Sequence, residues 1–257
     1  MTSTHDVLAS LRDDPSLASL ARSLDVYYGD PARDAAMDRL YAGFVKAGDL
    51  AFDIGSHVGD RIGAFRRLGA RVVALEPQPD CARVIRALYA GDGDVTLVER
   101  ACGPKPGRLT LHVNSANPTV TTASADFVRA ADGAGGWEGQ VWDRAIEVEV
   151  TTLDALIAAH GPPAFIKIDV EGFEADVLAG LSQQVPSLSF EFTTIQREVA
   201  ADCIRRIAAL GAYRFNVALG ESQKFTFGEP VDAAAMSAHI AGLPHAANSG
   251  DVYAFLG

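Results

Sequence analysis

The chain has 257 residues, 48% of them hydrophobic, and carries a formal net charge of −11. That length supports one large α/β domain, or a domain with a small appendage, and a field of that sign disfavours nucleic acid and anionic membranes as partners. Three cysteines (Cys81, Cys102 and Cys203), odd in number and without CxxC spacing, argue against a disulfide framework or a zinc site and for a reducing compartment.

The opening "TSTHDVLASLRDD" has neither a basic n-region nor an apolar h-region, so a cytoplasmic protein without a secretory signal is expected. No apolar run nears the roughly 20 residues that span a bilayer. Residues 1–48 carry apolar residues at helical spacing, broken at Pro15 and at "YYGDP" (27–31), which predicts a helical extension or lid. From 49 to 257, strand-like and helix-like segments alternate. Strands are expected at 50–54, 71–75, 95–99, 164–169, 187–192, 213–218 and 252–256, and helices at 58–68, 78–90, 152–160, 173–181 and 196–210. This alternation predicts an α/β, Rossmann-like fold: a mostly parallel sheet with helices on both faces.

An insertion at about 106–150 interrupts the alternation. "RLTLHV" and "AIEVEV" have period two and predict antiparallel strands, joined by a long loop. Within that loop, "HVNSANPTVTTASADF" offers hydroxyls and amides suited to closing over a cofactor or selecting a polyhydroxylated acceptor; order only on ligand binding is the other reading. Trp137 and Trp142 read as core packing, with stacking on a sugar ring as the alternative. Tyr27 and Tyr28 either cap an adenosine pocket or pack ordinarily.

The chemistry concentrates first in "AFDIGSHVGDRIGAF", residues 51–65. A buried strand ends in Asp53, and Gly55 and Gly59 bracket the turn into a helix, which lets a ligand approach backbone N–H groups at a helix N-terminus. About 20 residues on, "RVVAL" ends in Glu76, where a carboxylate can accept both hydroxyls of a ribose. The spacing is GxxxG, not the GxGxxG of dinucleotide sites. Asp53 places negative charge where a pyrophosphate would sit, whereas a ligand with an ammonium or sulfonium group gains from it. S-adenosylmethionine (SAM) has both, together with a ribose. An ordinary turn with an incidental acid is the plainer alternative.

"DIGSHVGDR", "ALEPQP", "VERACGPKPG", "TLDAL" and "FIKIDVEGFEADVLAGL" together resemble the FkbM-type family of SAM-dependent methyltransferases, in order from about residue 25 to about 195. The resemblance implies the class I methyltransferase fold, a seven-stranded sheet whose last strand is antiparallel, and O-methylation of sugar or natural-product hydroxyls. It also implies that Asp53, Gly55, Ser56, His57 and Gly59 line the methionine end of the cofactor. Glu76 would then hold the ribose, Pro77 shape the adenosine pocket, and Glu99 and Ala101 contact adenine. His57 stands where many relatives have Asn, which leaves its role open between a hydrogen bond to the cofactor and a solvent-facing helix start.

In "FIKIDVEGFEADVLAG" (165–180) a buried strand delivers Lys167 and Asp169 to one face, with Glu171 just beyond it. Ligands bind open α/β sheets at the C-terminal ends of the strands, so these acids are expected to converge on Asp53 and Glu76. Methyl transfer requires an aligned acceptor oxygen and a base for its proton. Asp169, Glu171 and Glu191 of "SFEF" are the candidate catalytic residues. The same three would be the ligands if Mg²⁺, which favours oxygen donors, activated the hydroxyl instead; the metal is the less favoured reading. For Glu171 a helix-start acid, and for Lys167 a solvent-reaching strand residue or a partner for these acids, are the plainer roles.

The expected partner is thus a small-molecule or glycan acceptor, with oligomeric state open and a homodimer contact through 1–48 or 220–250 one option. Two other functions stand beside this one: a nicotinamide-dependent oxidoreductase, and a SAM- or nucleoside-binding protein without catalysis.

Overall fold

The computed structural model describes residues 4–257; residues 1–3 of the expected extension lie outside the described residues. The extension is helical: α1 (Thr4–Arg12), a 3-10 turn (Pro15–Leu20), α2 (Ala21–Tyr28) and α3 (Pro31–Tyr41). The breaks have physical causes. Pro15 and Pro31 each begin a helical segment, and Asp14 and Asp30 accept from the N–H groups of Ser16 and Ala32.

The alternating core follows as β1 (Leu50–Ile54), α4 (Asp60–Arg67), β2 (Arg71–Leu75), α5 (Pro79–Leu88) and β3 (Val95–Val98). β4 (Ala101–Cys102) comes next, and the insertion contributes β5 (Gly107–Val113), α6 (Ala125–Ala131) and β6 (Arg144–Thr151). The chain then continues through α7 (Leu153–His160), β7 (Phe165–Ile168), α8 (Glu174–Ala179), β8 (Ser187–Thr193) and α9 (Arg197–Leu210). It closes with β9 (Tyr213–Leu219), α10 (Ala233–Gly242) and β10 (Ser249–Leu256).

Seven strands form one sheet in the order β3-β2-β1-β7-β8-β10-β9. β10 runs antiparallel to both neighbours, while β1, β2, β3, β7 and β8 are parallel. This is the class I methyltransferase architecture. The strand order reverses between β1 and β7, which lie side by side with Asp53 opposite Lys167. A crevice outside the carboxyl ends of strands at such a reversal is where open α/β sheets bind ligands.

Both sheet faces are covered. One buries Leu153, Val177, Ile204 and Met236 of α7, α8, α9 and α10 against Phe52, Ile166 and Phe190. The other buries Met37 and Tyr41 of α3 and Ile62 and Phe65 of α4 against Ala51, Val72 and Phe165. The expected 173–181 helix is shorter, and β10 starts three residues before the expected 252. α10 sits in a run of alanines whose only large apolar buried pair is Met236 and Ile240.

The insertion's β5 and β6 form a three-stranded sheet with β4; β5 and β6 are antiparallel from Gly107↔Val150 to Val113↔Arg144. Its loop is packed: Val120, Phe127, Ala131 and Trp137 form a cluster, joined by Trp142, whose Nε1 donates to the Val120 carbonyl at 2.9 Å. Both tryptophans are therefore packing residues.

Candidate active site

The glycine turn after β1 is shaped by its neighbours. Gly55 has φ +84, and a Cβ there would overlap the Asp169 carbonyl oxygen of the adjacent strand end, so only glycine fits. Gly59 has φ +85 and precedes α4; its carbonyl accepts from the Tyr89 hydroxyl at 2.6 Å, and the Val58 carbonyl accepts from Tyr28 at 2.8 Å. The N–H groups of Gly55 and Ser56 both donate to the Leu75 carbonyl, at 3.0 Å. They are thus turned away from where a pyrophosphate would need them.

The cleft at the strand reversal, about 550 Å³, is lined by Asp53, Gly55, Ser56, His57, Asp169, Glu171 and Glu191 of the expected residues. Asp53 is 1% exposed and its Oδ2 has no hydrogen-bond partner. Burial, with help from Asp60, raises its pKa to about 7. Lys167 is buried, donating to Asp169 Oδ2 at 3.0 Å and Asp251 Oδ1 at 2.7 Å. It is thus a partner of these acids and not a solvent-reaching residue.

Asp169, Glu171 and Glu191 bring carboxylate oxygens within 4.8 Å of one another. Their proton affinities diverge. Burial opposes ionisation of Asp169, but Lys167, a hydrogen bond from Glu191 and Arg61 outweigh it and hold its pKa below the ordinary value. Burial and the Asp169 charge push Glu171 and Glu191 well above theirs. Glu171 adopts φ +54 without being glycine, and its carbonyl accepts from the Thr122 hydroxyl of the insertion loop at 2.6 Å. Strained backbone of this kind gathers at functional sites.

His57, at φ +46, joins the extension to the insertion. Its Nε2 lies 2.8 Å from Ser23 Oγ and 3.4 Å from Thr119 Oγ1, and burial lowers its pKa to about 4. Its backbone N–H donates to Glu76 Oε2 at 2.8 Å, while Gln78 N–H donates to Oε1 at 2.8 Å. Glu76, 3% exposed, is raised by burial to about 8 against those two donors. Glu76 itself lines neither cleft, but its two donors do: His57 lines the first, and Gln78 lines a second, also about 550 Å³, together with Pro79, Asp80, Val113 and Pro118.

Five expected residues line neither cleft: Gly59 and Glu76, placed above, and Pro77, Glu99 and Ala101. Glu99 is exposed just past β3 and is paired with Arg86 at 2.7 Å. Ala101 packs with Leu111, Val148 and Val150 inside the small sheet. Pro77 lines neither of the two clefts; Gln78 and Pro79 do so in its place. Tyr27, one of the two tyrosines considered as a cap, lines the first cleft, and the structure adds Asp60, Arg61, Thr119 and Glu221 to it. Arg61 pairs with Asp60 at 2.5 Å and Glu221 at 3.1 Å, and Arg33 reaches the same two acids at 2.9 Å. The "DR" of "GDRIG" was the only local sign of this network. Tyr27 carries Arg33 over its ring at 4.8 Å and meets His57 edge-on.

The description "Methyltransferase FkbM domain" matches residues 53–230. The chain belongs to the FkbM methyltransferase family. Among solved structures, this FkbM-family chain is similar to an O-methyltransferase from Bacillus cereus in complex with S-adenosylhomocysteine (SAH), at 12% identity and TM-score 0.46, covering 93% of this chain and 91% of that one. A precorrin-6y C5,15-methyltransferase from Geobacter metallireducens gives 16% and 0.43, over 88% and 87%. The strand order, not these distant likenesses, carries the fold assignment. No curated protein matches the chain. The cofactor of this FkbM-family enzyme is SAM, and the first cleft fits it: the orphaned, buried Asp53 Oδ2 lacks the cation that an amino-acid ammonium supplies.

Proposed function

We propose that the protein methylates a hydroxyl of a small polar acceptor, a sugar or natural product, with Glu171 as the base. The observation that carries this reading is the carboxylate triad at the ends of β7 and β8, opposite Asp53 in one cleft. Asp53 would receive the cofactor ammonium, with Gly55, Ser56 and His57 along its methionine part. Glu76 would face the ribose between the two clefts, and Gln78, Pro79 and Pro118 would enclose the adenosine.

In that cleft SAM would supply an electrophilic methyl group on a sulfonium, and its transfer would form the C–O bond to the acceptor oxygen, break the C–S bond and leave a thioether. Glu171 takes the hydroxyl proton. Its raised proton affinity suits a base working near neutral pH. Asp169, kept ionised by Lys167, holds the neighbouring negative charge that sustains that affinity. Lys167 already supplies positive charge to the triad, which favours carboxylate over metal activation.

The three cysteines are buried and free, which supports a reducing, cytoplasmic setting; none of the helices among the described residues is long and apolar enough to cross a membrane. The test is incubation with methyl-labelled SAM and a panel of hydroxylated acceptors, with and without EDTA. An O-methyl product insensitive to EDTA is expected. Label appearing on nitrogen or carbon, or lost with EDTA, would overturn the reading.

A further inference from the structure

The cleft holds more negative charge than a cofactor ammonium and one base require. Asp60 and Glu221 are answered by Arg33 and Arg61, and Asp169 and Asp251 by Lys167. Glu171, Glu174 and Glu191 form no ion pair with a cation among the described residues. Burial already disfavours each of these charges: Glu174 is raised to about 7, and burial together with the Asp169 charge pushes Glu171 and Glu191 well above their ordinary values.

A small recess beside Glu191 is lined by Gly172, Glu174, Glu191, Thr193 and Gln196, with Phe192 and Val199 as its apolar walls. Glu191 belongs to both the recess and the main cleft, so the two adjoin across that one side chain. Gln196 is 4% exposed, and its Oε1 has no hydrogen-bond donor. A Cβ on Gly172 would collide with that oxygen and with Phe127. Glu174 accepts the N–H groups of Val170 at 3.1 Å and Gly172 at 3.2 Å through Oε1, which fixes it at the wall. Between the apolar walls of Phe192 and Val199, the polar side of the recess thus gathers acceptors and, among the described residues, no cation.

We propose that this recess is an acceptor subsite for a protonated amine, so that the substrate is an amine-bearing polyol such as an amino sugar. This rests on the methyltransferase reading above. An ammonium has three donors and no acceptor, matching Glu174, Glu191 and Gln196 Oε1. A neutral hydroxyl would satisfy Gln196 and leave the carboxyls uncompensated, and an anionic group would be repelled. The net charge of −11 acts in the same direction at long range, concentrating cationic substrates near the protein.

The experiment is calorimetric titration of the SAH-loaded full chain with two matched pairs, glucosamine against N-acetylglucosamine and galactosamine against N-acetylgalactosamine. Glucuronate serves as the anionic control. The amines are expected to bind at least tenfold tighter than their acetylated partners, with glucuronate weakest. Gln196→Leu and, independently, Glu174→Gln should each shrink that preference while SAH affinity, the check on folding, is kept. Equal affinities within each pair, or binding of neither member, would overturn the subsite with SAH binding intact. Failure of the wild-type chain to bind SAH would overturn the methyltransferase reading beneath it.

Discussion

Asp53→Asn separates the two costs that meet at the cofactor acid. Burial in the fold raises the Asp53 pKa to about 7, whereas an ordinary aspartate releases its proton near 3.8. Between those pH values folding takes up a proton, so the stability of the free protein falls as pH rises and stays low above 7. The displacement corresponds to about 4 kcal/mol, at ~1.4 kcal/mol per tenfold change in proton affinity. The asparagine removes that penalty but leaves an amide unpaired, at about 1–3 kcal/mol. At pH 8 the ligand-free variant should therefore melt higher than wild type, by roughly 2–6 °C at about 2 °C per kcal/mol for a chain of this size. Ligand binding moves the other way. Losing a charge-assisted bond to the ammonium costs about 1.5–3 kcal/mol, or roughly 10- to 150-fold in SAH affinity. Calorimetry across pH adds a sharper mark: wild-type affinity should climb to about pH 7 and level off, while the variant's profile is flat there. Scanning fluorimetry and titration together check both directions. A variant that binds SAH like wild type with an unchanged pH profile would refute the reasoning.

Lys167→Met strands Asp169 and Asp251 without their buried partner and should cost about 3–5 kcal/mol in denaturant unfolding. Gly55→Ala places a methyl on the Asp169 carbonyl at φ +84 and should prevent recovery of folded protein, or abolish SAH binding where folded protein is obtained, as a gel-filtration profile and a titration will show. Glu171→Gln should lower kcat by about 10²–10⁴-fold with SAH affinity retained. Because the Glu171 pKa lies above its ordinary value, the wild-type rate should rise with pH as that carboxyl ionises, and the variant's rate should lose this rise.

What the sequence conveyed well was local. The Asp53–Gly55–Gly59 turn, the period-two strands and the "KIDVEG" strand end each write their geometry into neighbouring residues, and β1, β2 and β7 stand within a residue of expectation. Contacts across the chain left no such trace. Lys167 meets Asp251 across 84 positions, and Arg61 meets Glu221 across 160. Glu99 shows how strand-end reasoning goes astray: β3 stops at Val98, and the next side chain turns to Arg86 of α5 on the surface. His57 and Glu171 take positive φ although neither is glycine or asparagine, because the Glu76 carboxylate and the Thr122 hydroxyl hold the backbone on either side of the cleft. α10 escaped notice because alanine fills its faces and blurs the apolar stripe.

The most direct measurement is a crystal structure of the full chain with SAH bound. The account predicts the homocysteine ammonium on Asp53, the ribose at Glu76, the adenine beside Gln78 and Pro79, and the sulfur facing Asp169, Glu171 and Glu191. An SAH molecule whose sulfur faces away from that triad, or whose ammonium leaves Asp53 Oδ2 without a partner, would contradict it.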